Sequence, residues 1–117
     1  MREELERRLL LRWPEWFDIR GFEHGDGWFG ILWRLCEDLE PLAEGLEGEG
    51  SPPFEVVRVR EEGGGLRVYA SGGTDAIRER VEAAQEESLR TCEVCGQPGL
   101  RRRNHWARIR CDEHAEE

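Results

Sequence analysis

Residues 91–114, TCEVCGQPGLRRRNHWARIRCDEH, hold three of the four cysteines of this 117-residue chain and two of its three histidines. Cys92, Cys95, Cys111 and His114 follow the spacing C-x2-C-x15-C-x2-H. Two residues between cysteines let both sulfurs meet one ion across a tight knuckle, and Gly96 supplies the backbone freedom such a knuckle needs. Three thiolates and one imidazole fill the four-coordinate shell that Zn²⁺ prefers. The spacing therefore predicts one structural Zn²⁺ with no coordination position left for water. His105 is the alternative fourth ligand, but a ligand opening the terminal helix suits the geometry better, which favours His114.

Between the two ligand pairs, LRRR and ARIR read as a small hairpin turning at Asn104, and CDEH as the start of a short last helix. Knuckle, hairpin and helix in that order resemble a treble-clef zinc module. Some metal-dependent nucleases carry a catalytic His and a metal-binding helix on that scaffold. Here the helix positions are taken by zinc ligands, so a non-catalytic protein is expected. Arg101, Arg102, Arg103, Arg108 and Arg110 form a basic island beside Trp106. They could balance the thiolate charge or bind an anion with their guanidinium forks.

The chain as a whole is acidic, with a formal net charge of −9, which argues against a general binder of duplex nucleic acid or of anionic membranes. No apolar run is long enough to span a bilayer and none resembles a signal peptide, so a soluble, cytoplasmic protein is expected. In that reducing setting metal ligation explains paired cysteines better than disulfides do. All 17 basic residues other than histidine are Arg. Four of the five Trp precede residue 34, which places the core around the N-terminal third.

The elements that must position the cysteines are legible as periodicities. Residues 2–13 read as a charged helix with Leu5, Leu9 and Trp13 on one face, which Pro14 either breaks or follows with another turn. DIRGFEHGDGWFG reads as an irregular loop, with Asp26 a helix N-cap and Trp28 a core anchor. Glu23, His24 and Asp26 there read as solvated. Trp28, Ile31, Leu32, Leu35 and Leu39 recur at helical spacing until Pro41, with Cys36 a small buried hydrophobe. PLAEGLEGEGSPP reads as a surface linker. FEVVRVR and LRVYAS flank EEGGG as a β-hairpin. Residues 75–90 carry Ile77, Val81, Ala84 and Ser88 as a narrow seam on a solvated helix. The expected fold is a small single-domain α+β protein with N-terminal helices, a central β-hairpin and a C-terminal treble-clef-like zinc module. Residues 1–90 form the α+β core and residues 91–117 the zinc module packed on it.

Three separated stretches carry a resemblance: GDGWFGILWRLCEDLE, then FEVVRVREEGGGLRVY, then AAQEESLRTCEVCGQPGLRRR with RIRCDEHA. Together they resemble a widespread family of small uncharacterised phage and prophage proteins, over roughly residues 25–115. Relatives carry Lys, Lys and Phe where this chain has Arg60, Glu62 and Gly63. The resemblance implies a phage setting, in the host cell cytoplasm. There such proteins counteract host defence by sequestering a nucleotide signal or by blocking a defence protein.

The ligand expected is thus a nucleotide-type small molecule, or else a host defence protein, and a homo-oligomer is left open. Two arginine sources lie next to aromatics. Arg67 with Tyr69 on the central hairpin is placed first, because a lone Arg on a strand with Val and Tyr has no charge-balancing role of the kind open to the arginines beside the thiolates, and the Gly63–Gly65 turn would admit close approach. Arg101, Arg102 and Arg103 with Trp106 come second. The alternative function is a nucleic-acid-associated regulator using the arginine-rich hairpin.

Overall fold

The computed structural model describes residues 1–44, 53–103 and 106–117. Helix α1 spans Glu3–Arg12, where Leu5 and Leu9 repeat at i, i+4 and three glutamates in the first turn suit the helix N-terminus. Trp13 caps it and is buried, its indole N–H donating to Glu40 at 2.8 Å. Asp26–Trp28 form a 3-10 turn that leads directly into α2, Phe29–Glu44. Ile31, Leu32, Leu35, Cys36 and Leu39 form its buried face, as the spacing predicts. Burial, with the nearby Glu40 charge adding to it, raises the Cys36 thiol to about 12, so it is an unreactive core group.

Pro41 does not end this helix. It lies inside α2, which continues to Glu44 and lets Leu42 pack on the core. Proline has no amide to donate to the carbonyl four residues back, so α2 forgoes one bond there and ends within a turn of Pro41.

The central hairpin forms as expected, from β2, Glu55–Glu62, and β3, Gly65–Ser71. Gly63 and Gly64 both have positive φ, 60° and 97°, which is the two-residue turn that matches strand twist. The stretch expected as an irregular loop contributes a further strand, β1, Phe22–Glu23. It runs parallel to β2, pairing Phe22 with Val59 and Glu23 with Arg60, so the sheet order is β1-β2-β3.

Helix α3, Asp75–Ser88, begins at Thr74, whose hydroxyl accepts from the Ile77 amide. Its Ile77, Val81 and Ala84 meet the core, while Ser88 accepts from the Leu66 amide at 2.9 Å and Gln85 from the Val68 amide at 2.9 Å. Both amides belong to β3, so α3 side chains close part of that sheet edge.

A second sheet pairs β4, Leu100–Arg103, with β5, Ala107–Arg110, in antiparallel register. Among the described residues the architecture is a small α+β domain with three α-helices and two small sheets. Of the linker expected over residues 41–53, residues 41–44 belong instead to α2, while 45–52, like the expected turn at Asn104 and His105, lie outside the described residues. No helix among the described residues is long and apolar enough to cross a membrane.

Candidate metal centre and its docking seam

The backbone of the knuckle is tied before any metal is considered. Gly96 adopts φ 84° and donates to the Cys92 carbonyl at 2.9 Å, while the Cys92 amide donates to the Gln97 carbonyl at 2.8 Å. On the far side of the β4–β5 hairpin, a 3-10 turn over Asp112–His114 folds His114 back on Cys111. The expected terminal helix is only this three-residue turn.

The four side chains named by the spacing converge. The sulfurs of Cys92, Cys95 and Cys111 and a ring nitrogen of His114 all lie within 4.8 Å of one another. Cys95 and Cys111 sulfurs are 3.7 Å apart, and His114 Nδ1 is 3.1 Å from the Cys111 sulfur and 3.8 Å from that of Cys92. Ligands at about 2.3 Å from a tetrahedral ion stand roughly 3.8 Å from each other, so the spacing fits a metal ion. His114 presents Nδ1 to the sulfurs and turns Nε2 toward the Glu117 carboxylate, 3.7 Å away, as outer partners of ligating histidines do. Burial raises the Cys92 thiol, but the amides of Cys111, Cys95 and Val94 outweigh it and bring it down to about 7. A readily formed thiolate suits a ligand.

No local residue pattern announces how tightly this centre is seated on the helical half. A Cβ on Gly25 would stand 2.4 Å from the Glu93 carbonyl oxygen, and one on Gly27 would stand 2.1 Å from that of Cys92. The two glycines that read as a helix-start loop are instead the bed on which the knuckle lies. The Gly27 amide donates to the Glu93 carbonyl at 2.7 Å, the Gly25 amide to the Glu93 carboxylate at 2.9 Å, and Trp28 Nε1 to the Thr91 carbonyl at 2.9 Å. Glu93 also receives Arg110 at 3.2 Å, with the two side chains only 13% and 7% exposed. This buried pair was missed by sequence reasoning. Its only local signal is the position of each residue beside a ligand cysteine.

Asp26 is not an N-cap. Its carboxylate receives the Arg2 amide at 2.7 Å and the Arg2 guanidinium at 2.9 Å. His24 is not solvated either. It is buried between Phe22 and Trp28, Nδ1 lies 2.8 Å from the Gly25 carbonyl, and Nε2 has no partner among the described residues. Burial pushes its pKa down to about 4. Glu23 does sit at the surface, held by the Arg58 guanidinium at 3.1 and 3.3 Å.

The two arginine sources differ. Arg67 lies 3.6 Å from the Glu62 carboxylate and over the Tyr69 ring at 5.9 Å, and the Tyr69 hydroxyl donates to the same Glu62. Arg67 thus has a charge partner, contrary to expectation. The approach offered by the glycine turn is filled by the chain itself. A Cβ on Gly64 would meet the Ala107 carbonyl at 3.0 Å, and one on Gly65 the Leu89 side chain at 2.8 Å. On the β4–β5 hairpin, register places Arg101 with Ile109, Arg102 with Arg108 and Arg103 with Ala107. Arg102 pairs with Asp112 at 2.8 Å and Arg101 donates to the Gly63 carbonyl at 3.2 Å. Arg103 and Arg108 have no carboxylate partner among the described residues, and Trp106 is 66% exposed.

No protein-family model, no curated protein and no solved structure matches the chain.

Proposed function

We propose that this chain is a non-catalytic binding protein stapled by one structural Zn²⁺, with its ligand surface on the β4–β5 hairpin. Zinc is supported by the donor chemistry: three sulfurs and one imidazole nitrogen at tetrahedral spacing make a soft, four-coordinate set with no position left for water. Knuckle, hairpin and short terminal turn in that order support a treble-clef-like module.

The ligand is a phosphate-bearing small molecule of nucleotide type. One observation carries this reading: Arg103 and Arg108 lack carboxylate partners among the described residues, beside an exposed Trp106, whereas Arg67 is matched by Glu62. Guanidinium forks suit phosphate and the indole face suits a base. The resemblance to phage proteins supports the setting, in which the chain would sequester a nucleotide signal in the host cytoplasm. A nucleic-acid-associated regulator would use the same arginines, but the net charge of −9 opposes contact along a duplex backbone.

Calorimetry of the zinc-loaded chain against cyclic and linear nucleotides tests the reading. Loss of one charge-assisted contact in Arg108→Ala should weaken binding by about 1.5–3 kcal/mol, and Arg67→Ala should leave it unchanged. Equal sensitivity to Arg67→Ala would return the site to the central hairpin. Tight duplex binding that falls steeply with salt would favour the regulator.

A further inference from the structure

A cavity of about 370 Å³ opens between the β4–β5 hairpin, the end of β2 and the knuckle. Its lining is Glu61, Glu93, Trp106, Ala107, Arg108 and Arg110, and its volume falls within the range of small-ligand sites. Two of its four charges cancel, because Arg110 and Glu93 are paired with each other at 3.2 Å. That leaves one guanidinium, Arg108, and one carboxylate, Glu61, neither with an ion-pair partner among the described residues.

Glu61 is held in place rather than loosely exposed. Its Oε2 accepts the Gly64 amide of the hairpin turn at 2.7 Å, which fixes the carboxylate while Oε1 has no hydrogen-bond partner among the described residues. The cavity therefore offers a flat indole, one cation and one oriented acceptor group. The complementary ligand has a flat ring, an anionic end and an edge of N–H donors.

Nucleobases differ in that edge. Guanine carries N1–H and the N2 amino group side by side, so one carboxylate can accept from both. Adenine and cytosine set a single amino group beside a ring nitrogen acceptor, and uracil flanks its one N–H with two carbonyl oxygens. A carboxylate facing any of these three meets a lone pair that repels it. Resting on the nucleotide reading above, we infer that the cavity selects a guanine nucleotide. The base stacks on Trp106, its N1–H and N2–H donate to Glu61, and its phosphate meets Arg108.

The test is calorimetric titration of the zinc-loaded full chain with GMP, AMP, CMP, UMP and inorganic phosphate. GMP should bind at least about tenfold more tightly than the other three nucleotides. In Glu61→Gln the side-chain carbonyl can still accept the Gly64 amide, so the turn is preserved. The amide NH2 replaces an acceptor with a donor, and GMP should fall to the affinity of AMP. Arg108→Ala should weaken all four nucleotides together, and unchanged zinc content and circular dichroism will show that both variants fold. If all four nucleotides bind equally and Glu61→Gln changes nothing, the guanine assignment is overturned while the nucleotide reading stands. If neither nucleotides nor phosphate bind, both are overturned.

Discussion

The helical half and the cysteine-rich tail are held together by different forces. Around α2, burial does the work: Leu9, Trp28, Ile31, Leu32, Leu39, Val59, Leu66 and Ile77 are almost wholly removed from water. Among the described residues of 91–117, only Cys92 and Ile109 are buried apolar residues. A segment with so little apolar area cannot offset the entropy of ordering its backbone, so it depends on cross-links. Its described residues offer the Cys3His cluster, which the proposed zinc would close, and the polar seam that fastens it to Gly25, Gly27 and Trp28. Order in the tail therefore rests on docking and on the proposed zinc, and order in the core on buried area.

Trp28 belongs to both regions, so removing it should have the largest effect. Its ring is fully buried and its N–H reaches the Thr91 carbonyl. Trp28→Ala should cost about 3–5 kcal/mol in urea unfolding and also weaken metal retention. Loss of stability with metal affinity intact would show that the tail does not lean on this residue.

His24 gives a smaller, pH-dependent effect confined to the core. Its pKa is about 4 when folded, against 6.5 when unfolded, so the unfolded chain binds the proton more readily between those values. The stability this group contributes is present above pH 6.5 and is lost as pH falls toward 4. Between pH 7 and pH 5 the loss should be about 2 kcal/mol. Unfolding of the zinc-loaded chain across that range should show it, and His24→Phe should flatten the profile. An identical slope in the variant would assign the pH dependence to other groups.

Regular periodicity made the core helices, the hairpin and the ligand set readable from the sequence. Ile31, Leu35 and Leu39 announce α2, the glycines at 63 and 64 announce the turn, and the cysteine spacing announces its own convergence. What escaped is non-local. A two-residue strand such as β1 has no period to detect, and its pairing with Val59 lies across 37 residues. The burial of His24 follows from that pairing. Gly25 and Gly27 looked like ordinary turn glycines because the atoms that exclude a side chain there belong to Cys92 and Glu93. Arg67 looked unpartnered because its partner, Glu62, reaches it only across the hairpin.

The central claim is that Cys92, Cys95, Cys111 and His114 hold one zinc ion and that this ion keeps the tail docked on the GDGW turn. Amide hydrogen exchange before and after chelation, with zinc counted in the starting protein, tests it most directly. The account predicts one zinc per chain. On its removal, protection should fall together in residues 91–117 and at residues 25–28, while α2 and α3 remain protected. A protein purified without zinc, exchange indifferent to chelation, or collapse of the whole domain at the moment of metal loss would contradict it.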